Sequence, residues 1–153
     1  MDTRAIINIV DNLNSTSITD ALSANMGREL NNTKQDKLVD SGWITLPLSG
    51  DVISYDPDIV PQYRRIGNVV YVRGAVKNIT QSGTTIAVLP EGYRPTMTHN
   101  YLQLTSIQSG SPNFTRMKVT SGGVLMLESI STGITATYDA SRWYPIHTSY
   151  LID

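Results

Sequence analysis

Tyr138, Asp139, Arg142, Trp143, Tyr144 and His147 fall within one span of ten residues and combine flat rings with hydrogen-bonding and charged groups. That mixture suits a saccharide: a ring stacks on the pyranose face while carboxylate, guanidinium and imidazole groups read hydroxyls. A plainer reading stands beside it, in which Trp143 and Ile146 are core, Tyr144 lies at a subunit contact, and Asp139 with Arg142 is a surface pair at a turn. A second group, Tyr93, Arg94, His99 and Tyr101, surrounds the loop from Pro90 to Thr98.

Other chemistry has little material. His99 and His147 are far apart and show no spacing that would set two imidazoles on one metal. Asp56-Pro57-Asp58 offers two carboxylates to a hard cation, but a turn with φ fixed by Pro57 explains the same three residues. No Gly-x-Ser-x-Gly elbow, Walker loop or dinucleotide fingerprint occurs. With zero cysteines there is no disulfide or thiolate site. No catalytic residue, metal or cofactor is therefore assigned.

Charge is sparse, 16 % of residues with a net of -1. Residues 1–40 hold four basic and six acidic side chains, and the remainder eight and seven. Neither part has the clustered Lys and Arg that phosphate tracking demands, so nucleic acid is not an expected partner. No apolar run approaches the roughly 20 residues that cross a bilayer, and a basic-then-apolar leader is missing from the start. The expectation is a protein made in a cytoplasm, with no membrane partner.

The elements that would hold these groups fall into two parts, 1–40 and 41–153. In the first, Ile6, Ile9, Val10 and Leu13 recur at helical spacing, and Ser17 with Asp20 resembles a capping box for a second helix. Ile18, Leu22, Met26 and Leu30 then step by four. Such a narrow stripe packs either on the chain's own β domain or on further copies of itself. The second is the expectation adopted, with Ile6, Ile9, Leu13, Leu22, Met26 and Leu30 as the seam of a trimeric, coiled-coil-like connector. Asp36 to Gly42 reads as the linker, and Trp43 as an anchor just beyond it.

From Trp43 onward the apolar period is two. Ile66-Gly67-Asn68-Val69 is a hairpin signature whose register sets Arg65 against Val70 and Tyr63 against Val72. Tyr63, Val70, Val72 and Val76 then face a core, while Arg64, Ile66, Tyr71 and Arg73 face away. Met117 and Val119 likewise meet Leu125 and Leu127 across Ser121-Gly122-Gly123, with Lys118 and Glu128 outward. Thr84–Leu89, Asn100–Ile107, Ile134–Tyr138 and Trp143–Leu151 complete the expected strands, and no strong helix is expected after residue 40. The fold class is mainly β, with a short helical connector before an antiparallel β-sandwich or jelly-roll-like head.

Several stretches carry a resemblance. The segment from Asn12 to Leu30, with Trp43-Ile44-Thr45-Leu46-Pro47-Leu48, Tyr63 to Gly74, Leu89-Pro90-Glu91-Gly92-Tyr93-Arg94-Pro95 and Ser149-Tyr150-Leu151-Ile152-Asp153, resembles tailed-phage receptor-binding proteins and tail fibres. The resemblance implies a homotrimeric virion protein at the tail tip, docked to other tail or baseplate proteins, whose head binds a host cell-wall or surface saccharide non-covalently. Either the chain is a piece of a longer protein or its first helix is the attachment element. A tail-borne polysaccharide depolymerase or esterase, and a fibre module that binds nothing, are the alternatives.

Overall fold

The computed structural model describes residues 8–11, 16, 21–35, 39–108, 111–131 and 138–152. By its internal contacts the chain divides into Met1–Val39 and Asp40–Asp153.

In the first unit, strand β1 (Ile9–Val10) pairs in parallel with β2 (Ala21–Leu22), and helix α1 follows over Ala24–Gln35. This corrects two expectations. Ile9 and Val10 are β-branched and extended, with Ile9 71 % exposed, so the expected helix is not formed at these two residues. Ile6, Leu13 and the Ser17 cap lie outside the described residues. The helix starts at Ala24, six residues later than a cap at Ser17 would set it, with its cap made by Ser23. Its hydroxyl accepts from Met26 N–H (3.1 Å) and donates to Asp11 Oδ1 (2.5 Å), while its carbonyl accepts from Gly27 N–H (3.0 Å). Leu22 is thus a strand residue, and the step of four from Leu22 through Met26 to Leu30 is not one helical stripe. Within α1, Met26 is buried and Leu30 is 38 % exposed.

The second unit opens with β3 (Ile44–Thr45), β4 (Ile53–Ser54) and a 3-10 turn, η1 (Pro57–Ile59). A hairpin of β5 (Gln62–Ile66) and β6 (Val69–Arg73) follows, then β7 (Ala75–Lys77) and β8 (Thr84–Val88). The long strands β9 (His99–Gln108), β10 (Ser111–Val119) and β11 (Val124–Ser131) lead to β12 (Tyr144–Pro145) and β13 (Thr148–Leu151). Sheet orders are β13-β6-β5-β3, β12-β7-β4 and β8-β11-β10-β9, and every pairing among them is antiparallel. The head is mainly β, as expected. Residues 132–137, which hold most of the strand expected over Ile134–Tyr138, are outside the described set. Trp143–Leu151 contains two short strands instead of one.

Both hairpin registers are as read from the sequence. Tyr63 faces Val72 and Arg65 faces Val70, while Met117 meets Leu127 and Val119 meets Leu125. The left-handed φ of the first turn sits on Gly67 (56°), with Asn68 outside that region, the pattern of a II′ turn. Inward residues of the three sheets pool into one core that contains Val70, Val72, Val76, Ile86, Met117, Val119, Leu125, Leu127 and Tyr144. Tyr71 and Arg73 point outward, and Lys118 pairs with Glu128 (3.3 Å) on the outer surface.

The linker expected to reach Gly42 ends earlier. Asp40 bridges to Ile66, Ser41 N–H donates to the Arg65 carbonyl (2.9 Å), and Ser41 Oγ accepts from Arg65 N–H (2.9 Å). Residues 40–42 are therefore a lead-in clipped along β5.

Candidate functional site

Gln62 opens β5 and Arg73 closes β6, and the hairpin register makes them direct cross-strand neighbours on the outer face. Arg73 donates from Nε and one Nη to Gln62 Oε1 (3.0 and 2.7 Å), and its guanidinium carbon lies 3.8 Å from the centre of the Trp43 ring. A cation over an indole face is held by the ring quadrupole. Arg64, on the same face, is 5.8 Å from that ring and forms an ion pair with Asp40. The hydrogen bond from Arg64, with a second from Gly42 N–H, holds the Asp40 carboxyl well down, at about 2. Arg64 is thus neutralised locally, whereas Arg73 is held by an uncharged amide and a ring.

Beside Arg73 the backbone turns at Gly74, whose φ is 113°. A Cβ there would lie 2.5 Å from Pro61 Cα, so only glycine lets the end of β6 pass so close to the start of β5. The Gly74 carbonyl accepts from Ile146 N–H (3.0 Å), which brings the β12–β13 connection, and His147 with it, against this turn. Opposite stands η1, started by Asp56, whose carboxylate accepts from Asp58 N–H (2.9 Å). Asp56 thus serves as a cap in the Asp56-Pro57-Asp58 turn. Together Pro57, Asp58, Ile59, Val60, Gln62, Arg73, Gly74 and His147 line a depression of about 410 Å³. It offers one guanidinium, one carboxylate, one imidazole and one amide, donors and acceptors of the kind that read hydroxyl groups.

The six residues of the expected saccharide patch are neighbours in the chain but do not converge on one surface. Tyr144 is fully buried, and its hydroxyl donates to the Asp139 carbonyl (3.3 Å) while burial pushes the phenol pKa up. Arg142 is 6 % exposed, and Tyr138 is half-buried against the core. Trp143 is half-buried too: its carbonyl accepts from Thr105 Oγ1, its N–H donates to Ser106 Oγ (3.2 Å), and its Nε1 is buried with no hydrogen-bond partner among the described residues. Asp139 is exposed but shapes a turn, accepting from Ser141 N–H and Oγ (2.8 Å each), bonds that hold its carboxyl below the usual range. Only His147 reaches the depression. Tyr144 and Arg142 are corrected to interior residues: Tyr144, Pro145 and Ile146 are buried in succession where β12 pairs with β7, so this stretch runs through the interior and does not alternate in and out.

In the second group, Arg94 Nε donates to the Leu89 carbonyl (2.9 Å) and the Tyr93 ring meets Tyr63 edge-on at 4.8 Å. The Tyr93 carbonyl accepts from Tyr150 Oη (2.7 Å), so both residues fasten the loop. His99 stacks on Tyr101 (5.7 Å) and has Nε2 3.0 Å from Thr148 Oγ1. Burial pushes the Tyr101 phenol far above its ordinary value. His99 and Tyr150, with Pro95, Thr96, Met97, Thr98 and Leu151, line a second depression of about 460 Å³.

Residues 9–41 match the family model of phage tail fiber repeats. The chain is similar to the receptor binding protein of Listeria phage PSA, with a TM-score of 0.58, 16 % identity, and coverage of 85 % of this chain and 77 % of that one. It is also similar to the head domain of the lactococcal phage bIL170, with a TM-score of 0.48, 15 % identity, and coverage of 72 % and 96 %. No curated protein sequence matches. The fold is that of a phage receptor-binding protein.

Proposed function

We propose that this chain is a receptor-binding component of a phage tail tip, and that its head attaches the virion non-covalently to a saccharide on the host surface. Its fold likeness to the receptor binding protein of Listeria phage PSA supports the class, and the match of residues 9–41 to tail fiber repeats supports a place in the tail. The observation that carries the ligand reading is the depression of Asp58, Gln62, Arg73 and His147, where donors and acceptors converge at the surface. One carboxylate lines it among the described residues, whereas glycoside hydrolysis uses a pair. Binding without turnover is the reading this supports.

The proposal includes a homotrimer held to other tail proteins through the first unit. Three equal sites convert weak single-site affinity into firm attachment through effective concentration. Purified protein is incubated with host cells and with isolated wall polysaccharide. Retention without product, lost in Arg73→Ala and His147→Ala, is expected. Polysaccharide shortening would replace this reading with a depolymerase, and neither retention nor product would leave a fibre module that binds nothing.

A further inference from the structure

Trp43 stands where the chain enters the head, yet its ring lies under the one guanidinium of the depression. We infer that Trp43 is a positioning residue for this site: it fixes Arg73 from below while Gln62 fixes it from the side, and so sets the direction in which Arg73 meets a ligand. The inference rests on the depression being the saccharide site.

Three observations carry it. Among the described residues Arg73 has two partners, the Trp43 ring at 3.8 Å and Gln62 Oε1 at 2.7 Å, and neither is a carboxylate that would quench its charge. Trp43 is itself located by the lead-in, because Asp40 and Ser41 are clipped to Ile66, Arg65 and Arg64 immediately before it. Finally, Arg73 is an exposed side chain at a strand end, where its rotamers would otherwise be many. Freezing a long side chain on binding opposes affinity, and a side chain frozen beforehand avoids that loss. The consequence links the two ends of the β5–β6 hairpin: detaching the lead-in from Ile66 frees Trp43, frees Arg73, and weakens the site without touching any lining residue.

The test uses the full chain and host wall polysaccharide as the probe. Trp43→Leu is expected to weaken binding up to about tenfold, the loss from ordering one long side chain on binding, while Trp43→Phe retains most of it. Retained binding in Trp43→Phe, which keeps an aromatic face under Arg73, guards against a misfolded Trp43→Leu variant. NMR supplies a readout that needs no ligand. Stacking shifts the Arg73 side-chain N–H protons upfield, and Trp43→Leu should return them to the position of the other arginines. Wild-type binding by Trp43→Leu, or Arg73 protons that do not move, overturns the inference. Loss of binding in Arg73→Ala with none in Trp43→Leu rejects the inference alone, whereas wild-type binding by Arg73→Ala rejects the site and the inference together.

Discussion

Tyr144 separates a structural residue from a ligand contact, because its ring is wholly inside the core while its hydroxyl has only long bonds. Removing the ring with Tyr144→Ala deletes a fully buried aromatic from among the inward residues of the core, with loss of transfer free energy and a cavity. The expected cost is about 3–5 kcal/mol, a large part of the roughly 5–15 kcal/mol that stabilises a typical domain. Tyr144→Phe keeps the ring and removes the donor to the Asp139 carbonyl at 3.3 Å, so its cost should be about 1 kcal/mol or less. Urea unfolding followed by tyrosine and tryptophan fluorescence, at fixed protomer concentration, measures both. At about 4 °C per kcal/mol, the two variants should also differ by roughly 10 °C or more in melting temperature. A Tyr144→Ala protein of wild-type stability that no longer bound host cells would refute the reasoning and return Tyr144 to the ligand.

Gly74→Ala should destabilise the head and distort the depression together, since φ of 113° disfavours any side chain and the new Cβ would meet Pro61 Cα at 2.5 Å; the melting temperature and retention on polysaccharide should fall in parallel. Asp40 has a folded pKa of about 2 against an ordinary 3.8, so its contribution is fully present above pH 3.8 and is lost as pH falls through 2. Acid titration of stability should therefore be flatter across that window in Asp40→Asn than in wild type. Ser23→Ala removes the cap of α1 and should cost about 1 kcal/mol of helix stability, visible as reduced helical ellipticity; unchanged ellipticity would mean the cap is not formed in solution.

The head was legible where one face of a strand is buried and the other is wet. There a slip of one residue would exchange Val70 and Val72 for Tyr71 and Arg73, so alternation and the Gly67-Asn68 turn suffice to set the register. The connector was not legible for the opposite reason. Ile9 and Val10 satisfy a helical period and are equally good strand residues, and two-residue strands leave too little pattern to choose between them. The reading of the cap rests on Ser17, whereas the bond from Met26 N–H shows Ser23 capping α1.

The expected patch does not converge because the depression is assembled across sheets, whereas the sequence groups residues along the chain. Tyr138 to His147 are adjacent in sequence, but β12 runs into the core and carries Tyr144 with it, leaving His147 to meet partners from η1, β5 and β6. Part of this was within reach. The hairpin register already put Arg73 outward, and a count back along the same pairing puts Gln62 directly opposite it. What no pattern carried was the fold of Trp43 back onto that pair, which follows the docking of Asp40 and Ser41 on β5, with Gly42 N–H closing onto the Asp40 carboxylate. The residue that reads as an anchor therefore also lies against the guanidinium that lines the depression.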